Sequence, residues 1–246
     1  MTKSMPNHLT EKELKAKAPS IFTNYPSYKV SDKYTFIPTT RILEDLDKLG
    51  WVPYEASQRK SRTTKDAMFT KHLIRFRNKS IIQLGDSIPE IILTNSHDGR
   101  NSFNLHAGVF RLVCSNGLII ADKTFSQVKI KHQWYNMDEL SKVTNNMVEK
   151  IPTIVNNIKD MDSIELSEKE KITFAKKAIL TRWPKGNEML DVEDILQSVR
   201  IGDRGDSVWK IYNVKKEKMQ KLRPIINIDR KICVNKNLWE LAESYV

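Results

Sequence analysis

Leu93-Thr-Asn-Ser-His-Asp-Gly-Arg100 and, further along, Leu112-Val-Cys-Ser-Asn-Gly-Leu-Ile-Ile120 interleave polar, turn-forming and apolar residues as strands joined by tight loops do. The separators Asp86-Ser87, His97-Asp98-Gly99 and Asn116-Gly117 carry turn chemistry, and Asn116-Gly117 predicts a two-residue hairpin. Outward from this cluster, the patterning predicts strands over Trp51 to Ser61, Ala67 to Asn78, Ser80 to Leu84, Glu90 to Thr94, Ser102 to Ser115, Leu118 to Ala121 and Phe125 to His132. Upstream, Lys33 to Ile37 alternates like a short strand. Pro38-Thr39-Thr40 then opens a helix whose apolar face is Ile42, Leu43, Leu46 and Leu49, with Gly50 as its left-handed stop.

Beyond Trp134 the apolar spacing becomes helical. Met137 to Asp160 reads as a helix that Pro152 kinks or splits. Ser167 with Glu170 forms a capping box for a helix to about Arg182, and further helices are expected at Val192 to Val199, Ser207 to Leu222 and Leu238 to Tyr245. At the other end, Thr10 caps a short helix ending before Pro19, read as a peripheral arm. The fold class expected is α+β: a mainly antiparallel sheet with an amphipathic helix packed on it in a strand-helix-hairpin core, followed by a helical C-terminal part. The corresponding division is an N-terminal arm over residues 1–30, a β-rich core with a basic groove over 31–135 and a helical region over 136–246.

With 41 basic against 30 acidic residues the chain carries a formal charge of +11, which favours an anionic partner, nucleic acid foremost. Cys114 and Cys233 form no CxxC or metal-ligand pattern, and Cys114 alternates with Phe110 and Leu112 as a core residue would. Met1 to Lys17 lacks the apolar core of a signal peptide, and no apolar run approaches membrane-spanning length, so a soluble, cytoplasmic protein without a membrane partner is expected. No Walker lysine motif or GxGxxG stands between a strand and a helix, and no cofactor is expected.

Between Arg59 and Lys79 lie eight basic residues (Arg59, Lys60, Arg62, Lys65, Lys71, Arg75, Arg77 and Lys79) against one acid, Asp66. Alternation sends Lys71, Leu73, Arg75 and Arg77 to one face of a strand, and Lys129 and Lys131 share a face with Gln127 in a later one. Two such cationic faces would make a groove for a phosphate backbone, with Tyr54, Phe69, Trp134 or Tyr135 at its edges as stacking platforms. The alternative is an ordinary solvated sheet face with its aromatics in the core. Arg111, on an otherwise apolar strand, needs a buried acid or a phosphate as partner. His97, Asp98 and His106 could bring two imidazoles and a carboxylate to a divalent metal across a hairpin, yet they lack the helical spacing of HExxH. A plain turn, with Asp98 accepting backbone N–H bonds and Gly99 at positive φ, is the better account of Asp98 and Gly99.

Tyr34-Thr-Phe-Ile37, Arg41 to Gly50-Trp51 and Trp51 to Asn78, in that order, resemble the opening of the eukaryotic and phage single-strand annealing recombinases. That resemblance implies rings or filaments holding single-stranded DNA in a basic groove with its bases accessible. Separately, Leu93-Thr-Asn-Ser-His-Asp-Gly99, Arg111-Leu-Val-Cys-Ser-Asn-Gly117, Arg200-Ile-Gly-Asp203 and Asp206-Ser-Val-Trp-Lys-Ile-Tyr-Asn213 resemble a family carried by phages, prophages and plasmids whose biochemistry is unassigned. It implies a mobile-element origin, near anti-restriction or DNA-processing functions. One departure from that family is the basic run Val214-Lys-Lys-Glu-Lys-Met-Gln-Lys221.

The leading expectation is a phage or mobile-element protein that binds single-stranded DNA and promotes annealing in recombination without a cofactor. It would act as a homo-oligomeric ring or filament, with a host or phage recombination or replication protein as a possible partner. Its DNA-binding candidates are Arg59, Lys60, Arg62, Lys71, Arg75, Arg77, Arg111, Lys129, Lys131 and Trp134, with no catalytic residue. The alternatives are an anti-defence protein that binds a host protein or occludes DNA, and a metal-dependent nuclease using His97, Asp98 and His106.

Overall fold

A computed structural model describes residues 8–61, 63–80, 87–101, 103–111, 116–119, 128–130, 136–186, 204–222 and 225–246, with Val192 and Leu196. The chain divides into two units, Met1–Phe110 with Phe125–Val148, and Arg111–Thr124 with Glu149–Val246. Among the described residues no helix is long and apolar enough to cross a membrane.

The first unit begins with α1 (Glu11–Lys17), whose Thr10 and Glu13 form a reciprocal capping box, and a 3-10 turn over Pro19–Phe22. Leu14, Ala18 and Ile21 are buried in the core, so this segment is structural and not the peripheral arm its charge pattern suggests. Their four- and three-residue spacing is that of one helix face, but the charged run around Leu14 and the break at Pro19 mask it in sequence. Helix α2 (Thr39–Lys48) buries Ile42 and Leu46 completely, one turn apart, and Gly50 stops it at φ +83°.

The sheet follows as β1 (Trp51–Gln58), the short α3 (Thr64–Ala67), β2 (His72–Asn78), β3 (Ser87–Asn95), β4 (Phe103–Arg111) and, later, β6 (Val128–Ile130). Its order is β1-β2-β3-β4, with β6 on β4. β1 and β2 are antiparallel from Trp51 opposite Asn78 to Gln58 opposite His72, with a bulge between Pro53 and Glu55. β2 and β3 are antiparallel from His72 opposite Asn95 to Arg77 opposite Glu90. One face of this sheet, carrying Ala56, Ile74, Phe76, Ile91, Leu93, Phe103 and Leu105, packs into a core shared with α1, α2 and α4 (Met137–Glu149).

Two expectations differ here. Tyr34 to Ile37 is not a strand; Ile37 enters the core, Phe36 packs at a tilt against the His97 ring at 5.0 Å and the Tyr34 hydroxyl donates to the Ser96 carbonyl at 3.4 Å. The alternation there is thus satisfied by side-chain anchoring instead of a hydrogen-bonded ladder. Asn116-Gly117 is no turn but the start of β5 (Asn116–Ile119), because turn propensity yields to pairing when neighbouring residues favour a strand. The strand expected over Ser80 to Leu84 and the helix expected over Val192 to Val199 fall largely outside the described residues.

The second unit holds β5, α5 (Ile151–Ser163), α6 (Glu168–Arg182), α7 (Val208–Leu222) and α8 (Ile228–Glu243). Pro152 sits in the first turn of α5, where its missing N–H costs nothing, and so divides α4 from α5. Ser167 and Glu170 cap α6 reciprocally. α8 begins ten residues before the expected Leu238, with Asn227 as its N-cap and Ile228, Ile232, Val234 and Asn235 buried ahead of Leu238. Trp209, Tyr212 and Trp239 meet at ring separations of 5.6 to 6.5 Å in this unit's core.

Candidate nucleic-acid interface

Strand alternation places Arg75 and Arg77 on one face of β2, and the β2/β3 register sets Glu90 directly opposite Arg77 on that face. Arg77 Nε donates to Glu90 Oε1 at 2.8 Å and Arg75 Nε to Glu90 Oε2 at 2.6 Å, so one carboxylate holds two guanidinium groups. The Arg77 guanidinium also lies 4.4 Å from the Tyr54 ring centroid, and Glu55 approaches Arg75 at 3.8 Å. Arg75 and Arg77 are only 1% and 4% exposed. The expected solvent-facing cationic strand is therefore a buried ion-pair cluster, because period-2 patterning assigns a residue to a face without revealing whether that face is covered. Lys71 is buried too, its ammonium donating to Asn101 Oδ1 at 3.3 Å.

On the opposite face the structure assembles a polar cluster that crosses three segments. His72 is fully buried between the Ser20 hydroxyl at 3.0 Å and the Thr39 hydroxyl at 2.9 Å. Thr39 also meets His97 Nε2 at 3.2 Å and accepts from Asn95 Nδ2 at 3.1 Å, which closes the network around the N-terminus of α2. Burial, reinforced by the neighbouring His97, pushes the His72 imidazole down to about 3.

The expected turn is present at His97-Asp98-Gly99. Asp98 accepts from the Ser96 hydroxyl at 2.7 Å and the Arg100 amide at 3.1 Å, and Gly99 sits at φ +73°. A Cβ on Gly99 would lie 2.9 Å from Val30 Cγ1, so the position needs glycine on two counts. His97 and His106 are both buried. Among the described residues no group of three or more His, Cys, Asp or Glu side chains is placed to hold a metal ion.

Three accessible cationic side chains of the basic run lie at the end of the β1/β2 hairpin. Arg59 and Lys60 follow β1 and are exposed, and Lys65 is exposed on α3. The 3-10 turn and the segment after it are tied to this end, the turn through Ser20 N to Gln58 Oε1 at 2.9 Å and the segment through the Thr23 hydroxyl to the Met68 carbonyl at 2.6 Å. That segment presents Tyr25 and Tyr28, 61% and 57% exposed. Tyr25 leans edge-on against buried Phe69 at 5.7 Å, while the Lys65 ammonium lies 4.0 Å from the Tyr28 ring centroid. Lys29 pairs with Asp66 at 2.8 Å, and its ammonium holds the Asp66 carboxyl below the usual carboxylate range.

Of the sequence candidates, Arg59 and Lys60 thus share an exposed end, whereas Lys71, Arg75 and Arg77 are buried. Arg62, Lys131 and Trp134, like the side chains of Arg111 and Lys129, lie outside the described residues. Tyr25 and Tyr28 escaped the sequence reading. Their signal was an aromatic pair in the proline-containing Tyr25-Pro-Ser-Tyr28 loop, which nothing in the chain's periodicity highlights. In the second unit Lys215 and Lys216 of the basic run are buried, and Val208, Trp209, Tyr212 and Met219 form a buried stripe on the same helix.

The chain is 31% identical over 253 aligned residues to the UPF0380 protein YfjQ of Escherichia coli strain K12, with 96% of this chain and 91% of that protein covered. The UPF0380 protein YafZ of the same strain is similar to the same extent over the same shares. No solved structure matches. Residues 28–239 match the family model described as a domain of unknown function, DUF932, and with two relatives aligned over nearly their whole length the chain belongs to that family.

Proposed function

We propose that this protein binds single-stranded DNA and promotes the pairing of complementary strands in the recombination of a phage or other mobile element, as a homo-oligomeric ring or filament and without a cofactor. The observation that carries the reading is the hairpin end, which has two exposed tyrosines, Lys65 4.0 Å from the Tyr28 ring, and exposed Arg59 and Lys60 just after β1. Aromatic faces accept any base by stacking, worth about 1–3 kcal/mol per base, while neighbouring cations take the phosphates. Such a surface suits sequence-independent binding of unpaired strands. The net charge of +11 adds long-range attraction to any polyanion.

The test is a titration of the full chain with a labelled oligonucleotide, its complement and the duplex, read for binding and for pairing rate with and without chelator. Tyr25→Ala with Tyr28→Ala is expected to weaken single-strand binding by ~2–6 kcal/mol. Equal affinity of wild type and this double variant would remove the site, and absence of any DNA binding at low salt would redirect attention to a protein target. Cleavage that chelator abolishes would favour the nuclease reading.

A further inference from the structure

The His97-Asp98-Gly99 turn, which follows β3, holds the segment that carries Tyr25 and Tyr28 at two points. The main chain of His97 makes the first. Its carbonyl accepts from the Ser27 amide at 2.8 Å, and its amide donates to the carbonyl of Phe69 at 3.1 Å, the residue whose ring Tyr25 leans against. Ser27 is the buried residue between the two exposed tyrosines, at 2% exposure. Tyr28 and Lys29 then form the middle of a β-turn closed by the Val30 amide on the Ser27 carbonyl at 3.2 Å. The Ser27 hydroxyl accepts from the Lys29 amide at 3.3 Å and braces the same turn.

Gly99 makes the second point of contact through the side chain it lacks. A Cβ there would lie 2.9 Å from Val30 Cγ1 and 3.7 Å from Val30 Cβ. Branching at Cβ restricts the valine rotamer, so Cγ1 does not swing aside as the end of a long side chain would. Any side chain at position 99 therefore pushes the Val30 end of the β-turn that presents Tyr28. Asp98 fixes the shape of this seat through the Ser96 hydroxyl and the Arg100 amide.

We propose that the His97-Asp98-Gly99 turn is the seat that presets Tyr25 and Tyr28 for base stacking, with Gly99 as a positioning residue acting through Val30. This rests on the nucleic-acid reading above. Rings held in place before a strand arrives spare the complex the cost of ordering them, so the seat governs the part of the affinity that depends on bases and leaves the part that depends on phosphates.

Two measurements on the full chain test it. Asparagine tolerates the left-handed backbone at φ +73° yet carries a Cβ, so Gly99→Asn isolates the contact with Val30. Without DNA, this variant is expected to exchange the Ser27 and Val30 amide hydrogens ~10-fold or more faster, while the β2 amides keep wild-type protection. In binding, an oligonucleotide is compared with an abasic strand of the same phosphate number. Wild type is expected to prefer the bases ~10-fold or more, and Gly99→Asn by ~2-fold or less, with the abasic affinity unchanged. Adding Val30→Ala removes the Cγ1 that meets the new Cβ and should restore both the exchange rates and the preference. The proposal is overturned if Gly99→Asn keeps wild-type exchange at Ser27 and Val30, if exchange quickens while the base preference stays, or if Val30→Ala restores neither. A wild-type protein that binds both strands alike would remove the nucleic-acid reading itself, and the proposal with it, whatever the exchange rates show.

Discussion

At Glu90 one carboxylate accepts hydrogen bonds from two buried guanidinium groups, with Glu55 also near Arg75, and this cluster ties β2 to its neighbours. Removing one member of a buried ion cluster leaves the others uncompensated, at ~3–5 kcal/mol. Arg75→Glu is therefore expected to lower the urea midpoint sharply, whereas Arg59→Glu, at an exposed position, should change stability by no more than ~0.5 kcal/mol. Similar midpoints for the two variants would show that the cluster contributes little. His72 makes a second prediction. Its folded value of about 3 lies below the ordinary 6.5, so in the window between them the unfolded chain takes up a proton that the folded one refuses. The associated stability is complete above pH 6.5 and falls by ~1.4 kcal/mol per pH unit as acid is added, down to about pH 3. His72→Gln should flatten that part of the profile when urea midpoints at pH 7 and pH 4.5 are compared.

At the level of elements, the features legible in the sequence were those with a local cause. Capping boxes at Thr10 and Ser167, the Gly50 stop and the break at Pro152 all depend on residues a few positions apart, and each is present. The alternation of β2 correctly grouped Arg75 with Arg77 and Ile74 with Phe76. What the sequence could not disclose was pairing: that Glu90 faces Arg77, that Ser20 reaches His72, or that the Tyr25 loop lies along the hairpin end. These depend on contacts between residues far apart in the chain. Helix α7 shows the same limit, since its lysines resemble a solvated face, yet Lys215 is fully buried and its amine has no hydrogen-bond partner among the described residues. Burial, then the charges of Lys218 and Lys171, push that amine down to about 7. Between pH 7 and 10.5 the unfolded chain binds more protons, so stability should rise with pH across that window. Lys215→Met should raise the thermal midpoint at pH 7 and remove the rise between pH 7 and pH 9; a persistent rise would mean that another group titrates there.

For the molecule as a whole, a charge of +11 favours long-range attraction to any polyanion, and salt dependence separates such a background from a defined interface. Each phosphate neutralised on a single strand contributes a slope of about −0.7 in log affinity against log salt. Arg59→Ala with Lys60→Ala is therefore expected to make the slope shallower by ~1.4 if both side chains take phosphates. An unaltered slope would assign the attraction to the diffuse charge of the chain. The order in which the polypeptide is made bears on the fold as well, because the boundary between the two units is crossed after Phe110, after Thr124 and after Val148. During synthesis the segment Arg111–Thr124 emerges long before Glu149–Val246, the remainder of its own unit, exists. The chain of the first unit is thus interrupted by a piece of the second, and it is complete only when Val148 has left the ribosome.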